Sequence, residues 1–172
     1  VQEFDQLSAF TPGFVVQNQS NNNSGFVMRG ITSDSGSATD ETRVSIYQDG
    51  VPISRSRGSY VELFDMERVE VAKGPQSTLF GRGALIGAVN LVQNKANPAK
   101  NDWLLKGEGG TGGYFVGEGM VNFAFGDGSA LRIAARARKN DGYVDDAAGG
   151  DAYNSTNTKA VRMAYHLEPG PL

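Results

Sequence analysis

Beyond residue 101, apolar and polar positions alternate strictly. Trp103 and Leu105 fall on one face while Lys106 and Glu108 fall on the other. Phe115, Val121, Phe123 and Phe125 share a face opposite Glu118 and Asn122. Leu131, Ile133, Ala135 and Ala137 oppose Arg132, Arg136 and Arg138, and Val161, Met163, Tyr165 and Leu167 oppose Thr158, Arg162 and His166. A period of two residues is the signature of a strand with one apolar face, so four consecutive strands are predicted. Gly126-Asp127-Gly128 and Glu168-Pro169-Gly170 read as tight turns, and residues 140–156 as a long polar loop.

The first half follows another rule, with short apolar runs separated by polar stretches. Phe4, Leu7, Ala9 and Phe10 predict a short helix stopped by Thr11-Pro12-Gly13. Phe14 to Gln17 is expected as a brief strand, and Phe26 to Ile31 (FVMRGI) as a strand that carries Arg29 and ends at Gly30. Val44 to Tyr47 is the next strand, with the Asp49-Gly50 turn pair leading to Val51-Pro52-Ile53. Tyr60 to Phe64 suggests another short helix. Residues 18–24, 32–42 and 54–59 are polar and loop-like.

The densest signal is Met66 to Val92, MERVEVAKGPQSTLFGRGALIGAVNLV. Val69 and Val71 alternate with Arg68, Glu70 and Ala72, and Gly74-Pro75 stops the strand because proline brings no N–H to a ladder. One helical turn over Gln76–Phe80, a glycine crossing from Gly81 to Gly87, and a buried strand over Ala88–Val92 complete the unit. Backbone so rich in glycine is expected to lie close to another surface.

Composition narrows the chemistry. A formal net charge of -3 and a pI near 5.2 argue against nucleic-acid binding. There is no cysteine and one histidine, His166, which removes thiolate sites, multi-histidine metal sites and the ordinary catalytic triads. No apolar run approaches the about 18 residues of a membrane-spanning helix. The start does not read as a signal peptide, and the 172 residues read as a piece of a longer protein. A soluble β-sandwich would also alternate. A transmembrane barrel explains more: strands of about ten residues with an apolar outer face, short turns at one end and longer loops at the other. Phe115, Phe125, Tyr143 and Tyr165 stand near strand ends, where an aromatic girdle belongs. Four strands cannot close, so most of such a barrel lies outside this sequence.

Taken in order, EFDQLSAFTPGFVV, FVMRGI, VSIYQDGVP and FDMERVEVAKGPQSTLFGRGALIGAVNLV resemble the plug domain of a TonB-dependent outer-membrane receptor. The alternating strands after them resemble the start of its barrel. The resemblance implies an α+β plug domain over residues 1–97, followed over 98–172 by the first antiparallel strands of a transmembrane β-barrel of about 22 strands. It implies active import of a scarce ligand, a ferric siderophore first, across the outer membrane of a Gram-negative cell. The plug would sit inside the barrel lumen, and energy would come from TonB through a segment outside these residues. Partners are then TonB, the ligand and outer-membrane lipid; no cofactor and no catalysis are implied.

Carried over residue by residue, Arg29 and Gly30 match the family's R-G pair, and Asp49 and Gly50 its D-G turn. Glu67, Arg68, Glu70, Lys73, Gly74 and Pro75 match its E-R-V-E-V-x-[RK]-G-P run, and Gly81 and Gly87 its glycine crossing. In the family the basic positions corresponding to Arg29 and Lys73 pair with carboxylates of the barrel wall. Lys73 stands where arginine is common, which keeps the charge and loses bidentate geometry. Gly87 is single where a glycine pair is frequent.

Competing readings are weaker. Gly81, Gly83 and Gly87 loosely fit a dinucleotide fingerprint, but they follow a helical turn and lead into a strand, the reverse of its required context. Asp34, Asp40 and Glu41, and likewise Asp145, Asp146 and Asp151, have no cation-loop spacing. Arg132, Arg136 and Arg138 read as a hydrated wall, whereas Arg55 and Arg57 fall in an expected ligand-facing loop. A non-transporting plug-like binding or signalling module and a soluble β-sandwich enzyme remain as the other function classes.

Overall fold

The computed structural model describes residues 4–20, 23–32, 43–53, 62–81, 83–142, 144 and 152–168. The chain divides into two compact units, Val1–Asn94 and Lys95–Leu172.

The first unit holds two sheets. Helix α1 (Leu7–Phe10) leads into β1 (Phe14–Ser20), β2 (Asn23–Met28) and β3 (Ile31–Thr32), an antiparallel sheet in the order β1-β2-β3. Strands β4 (Val44–Gln48), β5 (Val51–Ile53), β6 (Met66–Lys73) and β7 (Gly87–Gln93) form the second, in the order β5-β4-β7-β6, with α2 (Ser77–Phe80) between β6 and β7. The central strands β4 and β7 run parallel, and both are mostly buried. That is why their sequences are nearly continuous apolar runs rather than alternating ones. The edge strand β6 does alternate, and it carries Glu67, Arg68 and Glu70 outward, as an edge exposed to pairing with other chains requires.

The core joins the two sheets. Phe4 and Leu7 at α1, with Phe14, Val16, Phe26 and Met28 of the first sheet, pack with Val44, Ile46, Val89 and Leu91 of the second and with Leu63 ahead of β6. Phe4 meets Phe26 edge-on at 5.5 Å, and Phe14 stacks on Phe26 at 6.1 Å, geometries that suit the ring quadrupole. The Ser8 hydroxyl accepts the Val16 N–H at 2.8 Å and so ties α1 to β1.

Some expectations change. Arg29 does not lie on a strand: Met28 pairs with Ile31, and Arg29 and Gly30 are the two turn residues between them, with φ of 52° and 79°. Asp49 and Gly50 repeat that geometry between Gln48 and Val51, with φ of 49° and 82°. Both are two-residue hairpins whose backbone twist matches the strands they join; the FVMRGI run hid the first because its apolar residues continue past the turn. Residues 62–64 are not helical, so the helix expected up to Phe64 is absent there. Part of the polar stretch 18–24 is strand, because β1 extends to Ser20 and β2 starts at Asn23.

The second unit is an antiparallel meander of β8 (Asp102–Gly109), β9 (Phe115–Ala124), β10 (Ser129–Asn140) and β11 (Thr156–Leu167), in the order β11-β10-β9-β8. Its register aligns the apolar positions in rows. Trp103, Val121, Ile133 and Met163 are successive partners across the four strands, and Phe123, Leu131 and Tyr165 follow across three. This face is largely bare: Trp103 is 74%, Leu105 77% and Val161 71% exposed. On the other face Lys106, Glu118 and Arg136 are successive partners, alternating in sign, which favours the pairing. Asn122 is buried there with its amide fully used: it accepts the Asn97 N–H at 2.9 Å and donates to the carbonyls of Asn97 (2.8 Å) and Lys100 (2.7 Å). One side chain thus fixes the segment that feeds β8. At one end the turn from Gly126 to Gly128 is tight, closed by the Phe125 N–H to the Ser129 carbonyl at 3.0 Å. At the opposite end the Asp141 N–H reaches the Gly112 carbonyl at 3.1 Å, joining two neighbouring connections. Tyr143, Asp145, Asp146, Asp151 and the Glu168-Pro169-Gly170 turn beyond Glu168 lie outside the described residues.

The glycine crossing is closely packed at its Gly87 end. A Cβ on Gly87 would stand 2.1 Å from the Met28 sulfur and 2.7 Å from the Ala72 carbonyl oxygen. The expected close approach holds at Gly87, where the neighbours are the unit's own buried Met28 and β6, and not at Gly81, where a Cβ would meet open space. Gly87→Ala is expected to destabilise this unit by about 1–3 kcal/mol through overpacking, read as a lower urea midpoint. Met28→Ala carries its own core loss, and the double variant should lose less than the sum of the two single variants, with some clash remaining at the Ala72 carbonyl.

Candidate functional site

The motif residues gather at two ends and one edge of the second sheet. Because β4 and β7 are parallel and β5 and β6 antiparallel to them, Arg43, Ile53 and the 74–86 crossing share one end. The Ile86 N–H donates to the Arg43 carbonyl at 3.1 Å, and the Gly74 N–H to the Ile86 carbonyl at 3.0 Å. Of the three polar stretches expected to face ligand, 18–24 lies between β1 and β2 and is partly strand, while 32–42 and 54–59 with Arg55 and Arg57 adjoin this end in sequence; beyond Thr32 these two lie outside the described residues. So do Asp34, Asp40 and Glu41. Among the described residues no cluster of acidic or histidine side chains suits a metal ion. The crossing presents bare apolar side chains, Leu79 at 80% and Leu85 at 55% exposure. The Tyr47 hydroxyl donates to the Phe80 carbonyl, and the two rings lie 4.9 Å apart, which holds α2 on β4.

Arg29, Gly30, Lys73 and Gly74 meet at the same end. The Arg29 N–H donates to the Gly13 carbonyl at 2.7 Å, and its guanidinium lies 3.5 Å from where a Gly74 Cβ would be. Gly74 has φ of 103°, a value that excludes most side chains. The Lys73 ammonium donates to the Pro12 carbonyl at 2.7 Å. Pro12 and Gly13 were legible in sequence only as a helix stop, because a backbone acceptor leaves no side-chain signature.

Asp49 and Gly50 stand at the far end. Asp49 accepts the Gln93 N–H at 2.8 Å and donates its own N–H to the Leu91 carbonyl at 2.9 Å, so the D-G turn is pinned to the end of β7. Beside it the Asn94 N–H and amide reach the Asp65 carbonyl and carboxylate at 2.9 and 3.2 Å.

Glu67, Arg68 and Glu70 form a network along the β6 edge. Arg68 donates to Glu67 and, at 2.6 Å, to Glu70, and the Asn90 amide donates to Glu70 at 2.9 Å from the adjacent strand. These bonds favour the ionised carboxylate. The Asn90 amide first, then the Arg68 guanidinium, hold the Glu70 carboxyl below its ordinary range, and the same carboxylate raises the Arg68 guanidinium further. About half of each side chain is in water, so the contribution is small.

The family model described as the TonB-dependent Receptor Plug Domain matches residues 1–88, more than half of the 172 residues. The chain belongs to that family of plug-bearing receptors. Among curated relatives, the pesticin receptor of Yersinia enterocolitica is 33% identical over 109 residues, 62% of this chain and 15% of that protein. The catecholate siderophore receptor Fiu of Escherichia coli is 33% identical over 102 residues, 58% of this chain and 13% of that protein. The chain therefore spans a small fraction of the relatives it matches. Among solved structures, the ferric yersiniabactin uptake receptor FyuA of Yersinia pestis superposes with a TM-score of 0.82 at 24% identity, over 95% of this chain and 26% of that one. The siderophore receptor PiuA of Acinetobacter baumannii gives 0.62 at 26% identity, over 81% and 19%. The plug fold and the antiparallel strands after it are those of TonB-dependent receptors.

The lowered Glu70 carboxyl has a definite pH consequence. Its stabilisation is present above the ordinary glutamate range and is lost as pH falls through the lowered folded value. In a carbon-detected NMR titration, the Glu70 carboxyl should protonate at lower pH than an unpaired glutamate of the same protein. Asn90→Ala and Arg68→Ala should each move its midpoint upward.

Proposed function

We propose that this chain is the plug and the first barrel strands of a receptor that imports a scarce ligand across the bacterial outer membrane under TonB control. The observation that carries the reading is the pairing, in one chain, of a plug-family unit with a sheet whose aligned rows leave one face apolar and bare. Such a face belongs against hydrocarbon, where only a closed ladder satisfies the backbone. No helix among the described residues is long and apolar enough to cross a membrane.

A ferric siderophore is the ligand class proposed first. It rests on relatives described as siderophore receptors, and solved neighbours include ferripyoverdine-bound receptors. Differential affinity for the ligand in two plug states would couple occupancy to engagement by TonB. In this reading the end of the second sheet that carries Arg43, Ile53 and the 74–86 crossing faces ligand. Arg29 remains the proposed contact for barrel-wall carboxylates lying beyond these residues; for Lys73 that contact is the rival to its bond with the Pro12 carbonyl.

The test is cellular uptake of a panel of radiolabelled ferric siderophores by a strain carrying the full-length gene and by its deletion. Gene-dependent accumulation that collapses when the proton gradient is discharged is the expected result. Accumulation that survives full uncoupling contradicts the energy coupling, and binding without accumulation points to a non-transporting receptor.

A further inference from the structure

The two sheets of the plug unit are separate ladders: among the described residues no strand of β1–β3 pairs with a strand of β4–β7. What joins them is the apolar core, which holds without direction. At one end of the seam, a few directional contacts cross it. The Met28 sulfur from β2 fills the space that a Gly87 side chain would take on β7. The Arg29 guanidinium from the β2–β3 turn lies over Gly74. One contact is charge-assisted: the Lys73 ammonium at the end of β6 donates to the Pro12 carbonyl, 61 residues earlier in the chain, at 2.7 Å.

We propose that Lys73 acts inside the plug as a strap, fastening the α1–β3 half to the second sheet, and that the seam beneath it is a joint along which the two halves part. Three properties of the contact point this way. Its acceptor is a backbone carbonyl of the Pro12-Gly13 turn, so it captures the chain just before β1 whatever the side chains do. The same turn also receives the Arg29 N–H at the Gly13 carbonyl, so β1 and the β2–β3 turn are gathered at one point and Lys73 holds that point from the other sheet. The donor is a lysine, a compact charge on a flexible stem that suits a single carbonyl, where an arginine fork suits a carboxylate. The bond is at the surface, so it can break without opening the core first, and Met28 then has to leave its place over Gly87 for the halves to part.

The test is hydrogen–deuterium exchange on the full-length receptor in detergent micelles, comparing wild type with Lys73→Met and Lys73→Arg. Loss of one charge-assisted bond at an exposed site should accelerate exchange over residues 14–32 about fivefold in Lys73→Met. Exchange over 87–93 should stay unchanged, and Lys73→Arg, which keeps a donor, should recover most of the protection. If Lys73→Met does not assemble, Lys73→Gln, whose amide is too short to reach Pro12, carries the same expectation. Unchanged exchange over 14–32 overturns the strap. Equal acceleration over 14–32 and 87–93 also overturns it, since Lys73 would then be anchoring the whole plug from outside.

Discussion

An apolar face spread over four hydrogen-bonded strands has to be kept from water, and the second unit is built around that constraint. Trp103, Val121, Ile133 and Met163 align in one row because each strand alternates and each turn preserves the register. A slip of one residue in any strand would turn its charged side chains into that row. The fixed register therefore follows from the pattern, and the bare face from the register. A soluble sheet of this kind would need a second layer to cover it; in the proposed receptor, lipid serves as that layer. The same constraint explains why Asn122 is spent on the segment entering β8. The first strand must begin at the right residue for the rows to align.

The first unit answers a different problem, that of fitting two small sheets around one core. Three phenylalanine rings, Met28 and the valines of β4 and β7 fill the seam. At Gly87 that seam leaves no room for a Cβ. Polar bonds lie at its margins: Lys73 to Pro12 at one end of the second sheet, Asp49 to Gln93 and Asp65 to Asn94 at the other. A core that gives cohesion without direction, bordered by a few directional bonds, is what the proposed joint rests on.

Much of this was legible in the residues, and the rest was hidden for physical reasons. The four alternating strands could be read because their period is unbroken over long segments, and β7 because a buried central strand leaves an apolar run. The Asp49-Gly50 turn announced itself through residues that tolerate positive φ. The equivalent Arg29-Gly30 turn did not, since arginine is not a turn residue and apolar positions flank it on both sides. Of the site, sequence named Arg29, Lys73 and Gly74 but not their convergence on Pro12 and Gly13. Contacts to main-chain carbonyls depend on tertiary placement and leave no mark on residue type. Arg55 and Arg57 lie outside the described residues, and their expected ligand-facing role stays within the functional proposal.

The most direct measurement of the central claim is a cysteine scan of β11 in the full-length receptor, made simple by the absence of cysteine from these 172 residues. Single cysteines at 160 to 165, labelled with a fluorophore in reconstituted bilayers, would be tested for quenching by a lipid-borne quencher and by an aqueous one. The account predicts that labels at Val161, Met163 and Tyr165 are quenched from the lipid, and that those at Ala160, Arg162 and Ala164 are not. Lipid quenching that fails to alternate, or aqueous quenching at 161, 163 and 165, would contradict it.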